Sequence, residues 1–156
     1  MSFHAKEEDR LVRLTEQLRL APAPSRDLIS AVMAEACTRL PVLRSAGKTA
    51  RIDRLIETGA WNDAALTLIE LELPAWKLRR LIREDGQWFC SLSKQPNLPV
   101  DLDDTADANH EVLALAILGA FLEARIRTSA TREIRPRTVP QIRSKSGHAI
   151  CCDNFA

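Results

Sequence analysis

The stretch from Val112 to Leu122 reads VLALAILGAFL, eleven consecutive residues with no charged or hydrogen-bonding side chain. A helix built from it is apolar on every side, which is typical of the centre of a bundle or of a subunit interface. It is too short to cross a bilayer, which needs about 20 such residues. We therefore expect a helix from about Ala108 to Ile126 that is covered on all sides by protein, some of it from a second copy of the chain.

The segment before this helix, residues 76–93, has the pattern of a β-hairpin. Its two strands are joined by Glu84-Asp85-Gly86, and Asp-Gly is among the strongest short hairpin signals. Alternation in the first strand places Trp76, Leu78 and Ile82 on one face, and Arg80 breaks that alternation. Because a lone two-stranded hairpin is marginally stable in water, it must pack on helices or pair with another strand, which a second copy could supply.

The first half of the chain carries apolar residues at helical spacing in four segments, which are residues 5–20, 27–40, 49–58 and 61–73. Only Gly59-Ala60 separates the last two, so these must pack as neighbours. The predicted fold is mainly α, with four to five helices packed as an orthogonal bundle and one β-hairpin at about 76–93. We expect one domain over 1–126, followed by a basic and flexible C-terminal tail over 127–156.

Composition excludes several classes of protein. The chain has 156 residues, of which 46% are hydrophobic and 28% charged, so it is not disordered throughout. Its net charge of +1 excludes a basic field for DNA over the whole molecule. The first residues, MSFHAKEEDR, lack the apolar run of a secretory signal, and the four cysteines form no spaced disulfide framework. We expect a cytoplasmic protein with reduced thiols and no membrane association.

The acidic segment from Asp101 to Glu111 is a candidate cation site, because hard cations prefer clustered carboxylates. The spacing does not fit an EF-hand. Counting from Asp103, Ala108 stands where glycine is needed and Ala114 stands where glutamate is needed. The favoured interpretation is a helix N-terminus, where carboxylates cap free N–H groups and interact favourably with the helix dipole.

The cysteines give no strong site. His148, Cys151 and Cys152 are donor types that a soft metal accepts, but adjacent cysteines do not easily bind one tetrahedral ion together, and a fourth ligand is missing. Cys90 shares a strand face with Trp88, which favours a buried and inert thiol over a catalytic one. Phosphate-binding, zinc-protease and nucleophile-elbow motifs are absent from the sequence. We therefore predict no catalytic residue, no metal and no cofactor.

Charge is segregated along the chain. Residues 99–124 contain six acids and no Lys or Arg, whereas residues 127–145 contain six basic residues and one acid. Basic side chains of the hairpin and tail could neutralise phosphates, and nearby aromatic rings could stack on bases. The favoured alternative is a solvated hairpin face, with a tail attracted to the acidic segment of its own chain or of a neighbour. The candidate interaction residues are Trp76, Arg79, Arg80, Arg83, Trp88, Arg135 and Arg137.

The chain resembles a known group of proteins in three short motifs, which are LIELELP at 68–74, WKL at 76–78 and DGQWFCSLS at 85–93. Over about residues 49–126 the chain resembles a group of small uncharacterised bacterial proteins. The resemblance implies a bacterial cytosolic setting, and no activity or site residue follows from it.

The leading hypothesis is a non-enzymatic interaction or regulatory protein that forms a homodimer. The alternative is a nucleic-acid-binding protein that uses Arg79, Arg80, Arg83 and the tail, with an affinity that falls steeply as salt is added. A small-molecule enzyme would require a deep pocket that holds His110 with two carboxylates of the acidic segment.

Overall fold

The computed structural model describes residues 3–134. Most of this part of the chain is helical, and three antiparallel strands form one small sheet, which confirms a mainly α fold. No helix within these residues has the length and apolar content needed to span a membrane. The elements in chain order are α1 Phe3–Leu20, α2 Arg26–Ala36, α3 Leu40–Ser45, α4 Ala50–Glu57, α5 Trp61–Glu72, β1 Lys77–Glu84, β2 Gln87–Ser93, β3 Thr105–His110 and α6 Leu113–Ile134.

The N-terminal helices form where their apolar spacing predicts them, with one exception. Helix α2 ends at Ala36 instead of Leu40, and a separate short helix, α3, follows. The cause lies in the buried carboxylate of Glu72, which accepts hydrogen bonds from the backbone N–H groups of Thr38, Arg39 and Leu40 at 3.1, 3.1 and 2.5 Å. These bonds satisfy backbone donors at the corner between α2 and α3, so the chain can turn there inside the protein.

Strands β1 and β2 are joined by a tight turn at Asp85 and Gly86, whose φ angles of 50° and 78° suit the mirror-image turns that connect twisted strands. A β-bulge between Leu78 and Arg80 shifts the register of β1. Leu78 therefore pairs with Leu92 whereas Ile82 pairs with Phe89, which places Leu78 and Ile82 on opposite faces. The prediction that they share a face was wrong because a bulge inserts one residue into the alternation.

The sheet has a third strand that the sequence did not predict. β3 pairs with β2, with Cys90 opposite Ala108 and Leu92 opposite Ala106. The interpretation of this acidic segment as a helix N-terminus was wrong, and α6 begins at Leu113 instead of near Ala108. The strand forms because it pairs with backbone N–H and C=O groups of β2 that a lone hairpin would leave without partners. The order of the strands is β1-β2-β3, so β1 and β3 are the two edges.

Helix α6 is the centre of the core. Apart from Gly119 and Glu123, which are partly exposed, every residue from Ala114 to Arg125 is buried, and the helix packs against α1, α5, β2 and β3. The prediction that its apolar run is covered by protein is confirmed for the side chains from Ala114 to Leu122, and within the described residues its own chain supplies the cover. Gly119 permits a close approach to β3, since a Cβ there would lie 2.9 Å from the Cβ of Ala108.

Helix α6 extends eight residues beyond the predicted end at Ile126, so residues 127–134, expected in the tail, are helical. The orthogonal crossing of the helices stays a prediction.

Candidate interaction surface

A single side chain, that of Arg79, holds the connection between β2 and β3 against the sheet. The guanidinium of Arg79 lies 2.5 Å from Oδ2 of Asp103, and the two side chains are only 16% and 3% exposed. The same guanidinium donates to the carbonyl oxygens of Pro96 and Leu98 at 3.1 and 2.9 Å. The other carboxylate oxygen of Asp103 accepts a hydrogen bond from the Ser93 hydroxyl at 2.8 Å. This network holds both ends of the connection in one position.

The connection displays large apolar side chains to solvent. Leu98, Val100 and Leu102 are 36%, 62% and 72% exposed, and the exposed carboxylates of Asp101 and Asp104 alternate with them. We refer to residues 98–104 as the acidic–apolar loop. Because the Arg79–Asp103 pair fixes its backbone, the three apolar side chains cannot collapse onto the core without breaking that pair.

The C-terminal half of α6 lies beside this loop. The guanidinium of Arg127 bonds both to Asp104 of the loop and to Glu123, the latter at 3.0 Å. At the next residue, the Thr128 hydroxyl accepts a hydrogen bond from the indole N–H of Trp76 at 3.2 Å. Arg127, seven residues before the last described residue of α6, therefore lies beside the acidic–apolar loop.

Two of the predicted interaction residues are not free at the surface. Trp76 is 4% exposed and belongs to the core, with the Lys94 ammonium 5.1 Å above its ring. It is therefore not available to stack on a base. Arg79 is held by Asp103 and two backbone carbonyls, so its charge is already neutralised inside the protein.

The remaining predicted residues of the hairpin do not form one surface. Arg80 and Arg83 are both exposed on β1, but they are three residues apart on one strand and so lie on opposite faces of the sheet. Arg83 lies over the half-buried ring of Trp88, 5.9 Å from its centroid. Basic side chains and a bulge on an edge strand discourage the addition of another strand, which gives these arginines a structural role. Arg135 and Arg137 lie outside the described residues.

The other candidate groups are engaged or buried. Burial raises the pKa of both the Cys37 and Cys90 thiols, the latter to about 12, so each stays protonated and weakly nucleophilic at neutral pH. Among the side chains that the structure describes, no three of His, Cys, Asp or Glu gather as a metal site. Nδ1 of His110 accepts a hydrogen bond from the Val112 N–H at 2.9 Å. His148, Cys151 and Cys152 lie outside the described residues.

An open groove of about 840 Å³ runs between α2, α3 and α4, which sequence reasoning missed. Its floor includes Met33, Leu40 and Ile56, and the Arg44–Asp53 ion pair, at 2.9 Å, lies on its wall. The lining residues come from three separate helices. No local sequence motif indicates such a groove, because only the tertiary packing of the three helices brings these side chains together.

Comparison with known proteins adds no relative. The chain matches no protein-family model, no curated protein and no solved structure.

Proposed function

We propose that the protein is a non-enzymatic interaction protein that forms a homodimer through the acidic–apolar loop. The observation that supports this is the fixed exposure of Leu98, Val100 and Leu102. Burial of a fully exposed side chain of this size contributes about 1.5–3 kcal/mol, and these three, 36–72% exposed, each contribute a part of that from both copies of the chain. Because the Arg79–Asp103 pair already orders the loop, little further conformational entropy is lost when a partner binds.

The apolar helix α6, which first suggested a homodimer, no longer supports one because its own chain covers it. The third strand likewise supplies, from the same chain, the partner that the hairpin needed. Self-association therefore depends on the loop alone. The free thiols of Cys37 and Cys90 fit a reducing compartment, and a bacterial cytoplasm is part of this proposal.

Analytical ultracentrifugation of the full chain from about 1 to 100 µM tests the proposal, since weak homodimers dissociate in this range. We expect a monomer–dimer equilibrium for the native chain and a monomer for the double variant Val100→Asp/Leu102→Asp. The matched control is Val42→Asp on α3, because Val42 is 71% exposed and lies on another element. A native chain that stays monomeric throughout, or a control that dissociates as fully as the loop variant, would overturn the proposal.

A nucleic-acid-binding function is the second candidate. It is favoured by the exposed side chains of Lys77, Arg80 and Arg83, which form no ion pair with the residues that the structure describes. It is opposed by the division of Arg80 and Arg83 between two faces. Retention on single-stranded DNA or RNA at about 50 mM salt, lost as salt rises and in Arg80→Glu/Arg83→Glu, would support it. Absence of retention at that salt would dismiss it.

A further inference from the structure

We propose that the basic segment from Arg135 to Lys145 docks, within the same chain, on the acidic–apolar loop. It would thereby cover the surface to which we assign self-association, so the proposed regulation rests on that function. The docking itself depends only on the geometry and charge of this end of the molecule, and it can be measured separately.

The basic segment is tethered within reach of the loop. Arg127 contacts Asp104 of the loop, and Ile134, the last residue of α6 that the structure describes, follows seven residues later. Seven helical residues advance about 10 Å along the axis. The eleven residues from Arg135 to Lys145 span up to about 36 Å when extended, so they are long enough to return over the loop.

The surface around the loop is complementary in charge to the basic segment. Asp101, Asp104 and Glu123 lie on this side of the molecule, and Arg127 is the one described cation that pairs with any of them. The surface therefore keeps a negative excess. Residues 135–145 supply four basic side chains and no acid. Exposed ion pairs contribute little individually, so the docking depends on several of them acting together and weakens as salt is added.

The acidic–apolar loop and the basic segment also match in polarity. The loop alternates apolar and acidic side chains, and the segment places Val139 and Ile142 between its basic residues. Apolar contacts can thus form alongside the ion pairs. The covalent tether favours this occupant over a free partner, because a short flexible linker gives an effective concentration in the millimolar range.

Paramagnetic relaxation in the full chain tests the docking. A spin label is attached at Ser144→Cys in a background of Cys151→Ser/Cys152→Ser. Cys37 and Cys90 do not compete for the label, because both are buried and burial raises their pKa values. We expect the label to broaden the amide signals of residues 98–104 at low salt, to leave the turn at 84–87 unaffected, and to lose its effect as salt is added.

Charge reversal supplies the matched comparison. In the labelled chain, reversing Arg135, Arg137 and Arg143 to Glu should abolish the broadening and strengthen self-association several-fold. The control reverses three exposed basic residues elsewhere, Arg10, Arg39 and Lys48, and should preserve the broadening. Broadening that is absent from the native tail at low salt would overturn the docking, as would broadening that survives tail reversal.

A mixed sample separates docking within one chain from docking between chains. Spin-labelled chains without ¹⁵N are combined with unlabelled ¹⁵N chains, and broadening in this mixture alone would assign the contact to a neighbour and overturn the proposal. Broadening within single chains that remain monomeric in the ultracentrifuge would support the docking and refute self-association. Self-association without any broadening would support the homodimer and refute the docking.

Discussion

Helix α6 and the acidic–apolar loop are neighbours in the chain and both carry large apolar side chains, yet the protein buries one set and displays the other. The helix packs on two helices and two strands, so its apolar residues define the core. The loop is fixed instead by a buried ion pair, which holds its backbone while its apolar side chains face water. Apolar content alone therefore does not decide burial, because a polar contact nearby can determine which way a segment faces.

The strongest test of this contrast is Phe121→Ala, which removes the largest fully buried side chain of the core. We expect the free energy of unfolding to fall by about 3–5 kcal/mol, because the ring loses its transfer energy and leaves a cavity. Urea denaturation measures this change. Val42→Ala on the exposed side of α3 should stay within about 0.5 kcal/mol. A loss below that of the control would mean that α6 is not the centre of the core.

The second test removes Arg79, the side chain that holds the acidic–apolar loop in position. Arg79→Met leaves the carboxylate of Asp103 buried without its cation, and we expect a loss of about 3 kcal/mol in unfolding free energy. Amide hydrogen exchange of residues 98–104 should also become faster. In Arg79→Met/Asp103→Asn the loss should be smaller than the sum of the two single losses, because the partners are coupled. Strict additivity would show that the pair does not hold the loop.

A smaller effect is expected where α6 approaches β3. Gly119→Ala brings a methyl group against Ala108, and overpacking of this kind costs about 1–3 kcal/mol. Better helix propensity offsets about 1 kcal/mol of that, so a net loss near 1 kcal/mol is expected by thermal or urea unfolding. Adding Ala108→Gly should remove the steric part of the loss. A single variant as stable as the native chain would show that the two elements are not in close contact.

The smallest effect on stability belongs to Leu102→Ser, because this side chain is already in water. The unfolding free energy should change by no more than about 0.5 kcal/mol, while self-association in the ultracentrifuge should weaken. A marked loss of stability would place Leu102 in the core and remove the contrast with α6.

Local signals predicted much of the fold. Helical apolar spacing located α1, α4 and α5 to within a few residues, and Asp85-Gly86 located a turn in which both residues have positive φ. Such features are determined by residues that are adjacent in sequence. The apolar run of α6 predicted a helix surrounded by protein, but it could not show that a single chain supplies the surrounding residues.

Nonlocal contacts explain what the sequence did not reveal. β3 was missed because its residues TADANH lack the β-branched pattern of a strand, and its place depends on pairing with β2 and on the small Gly119 of α6. Arg79 was expected at the surface because its partner, Asp103, is 24 residues away. The interrupted alternation at Arg80 was the visible trace of the bulge beside Arg79.

The burial of α1 against α6 has a consequence for synthesis of the protein. Leu11, Leu14 and Leu18 of α1 are buried in the core cluster that α6 completes, although nearly a hundred residues separate the two helices. At about 5–20 residues per second, a ribosome leaves that leucine face without its final partner for roughly 5–20 s. Because α1 is synthesised well before α6, its leucine face stays open to other contacts during that delay.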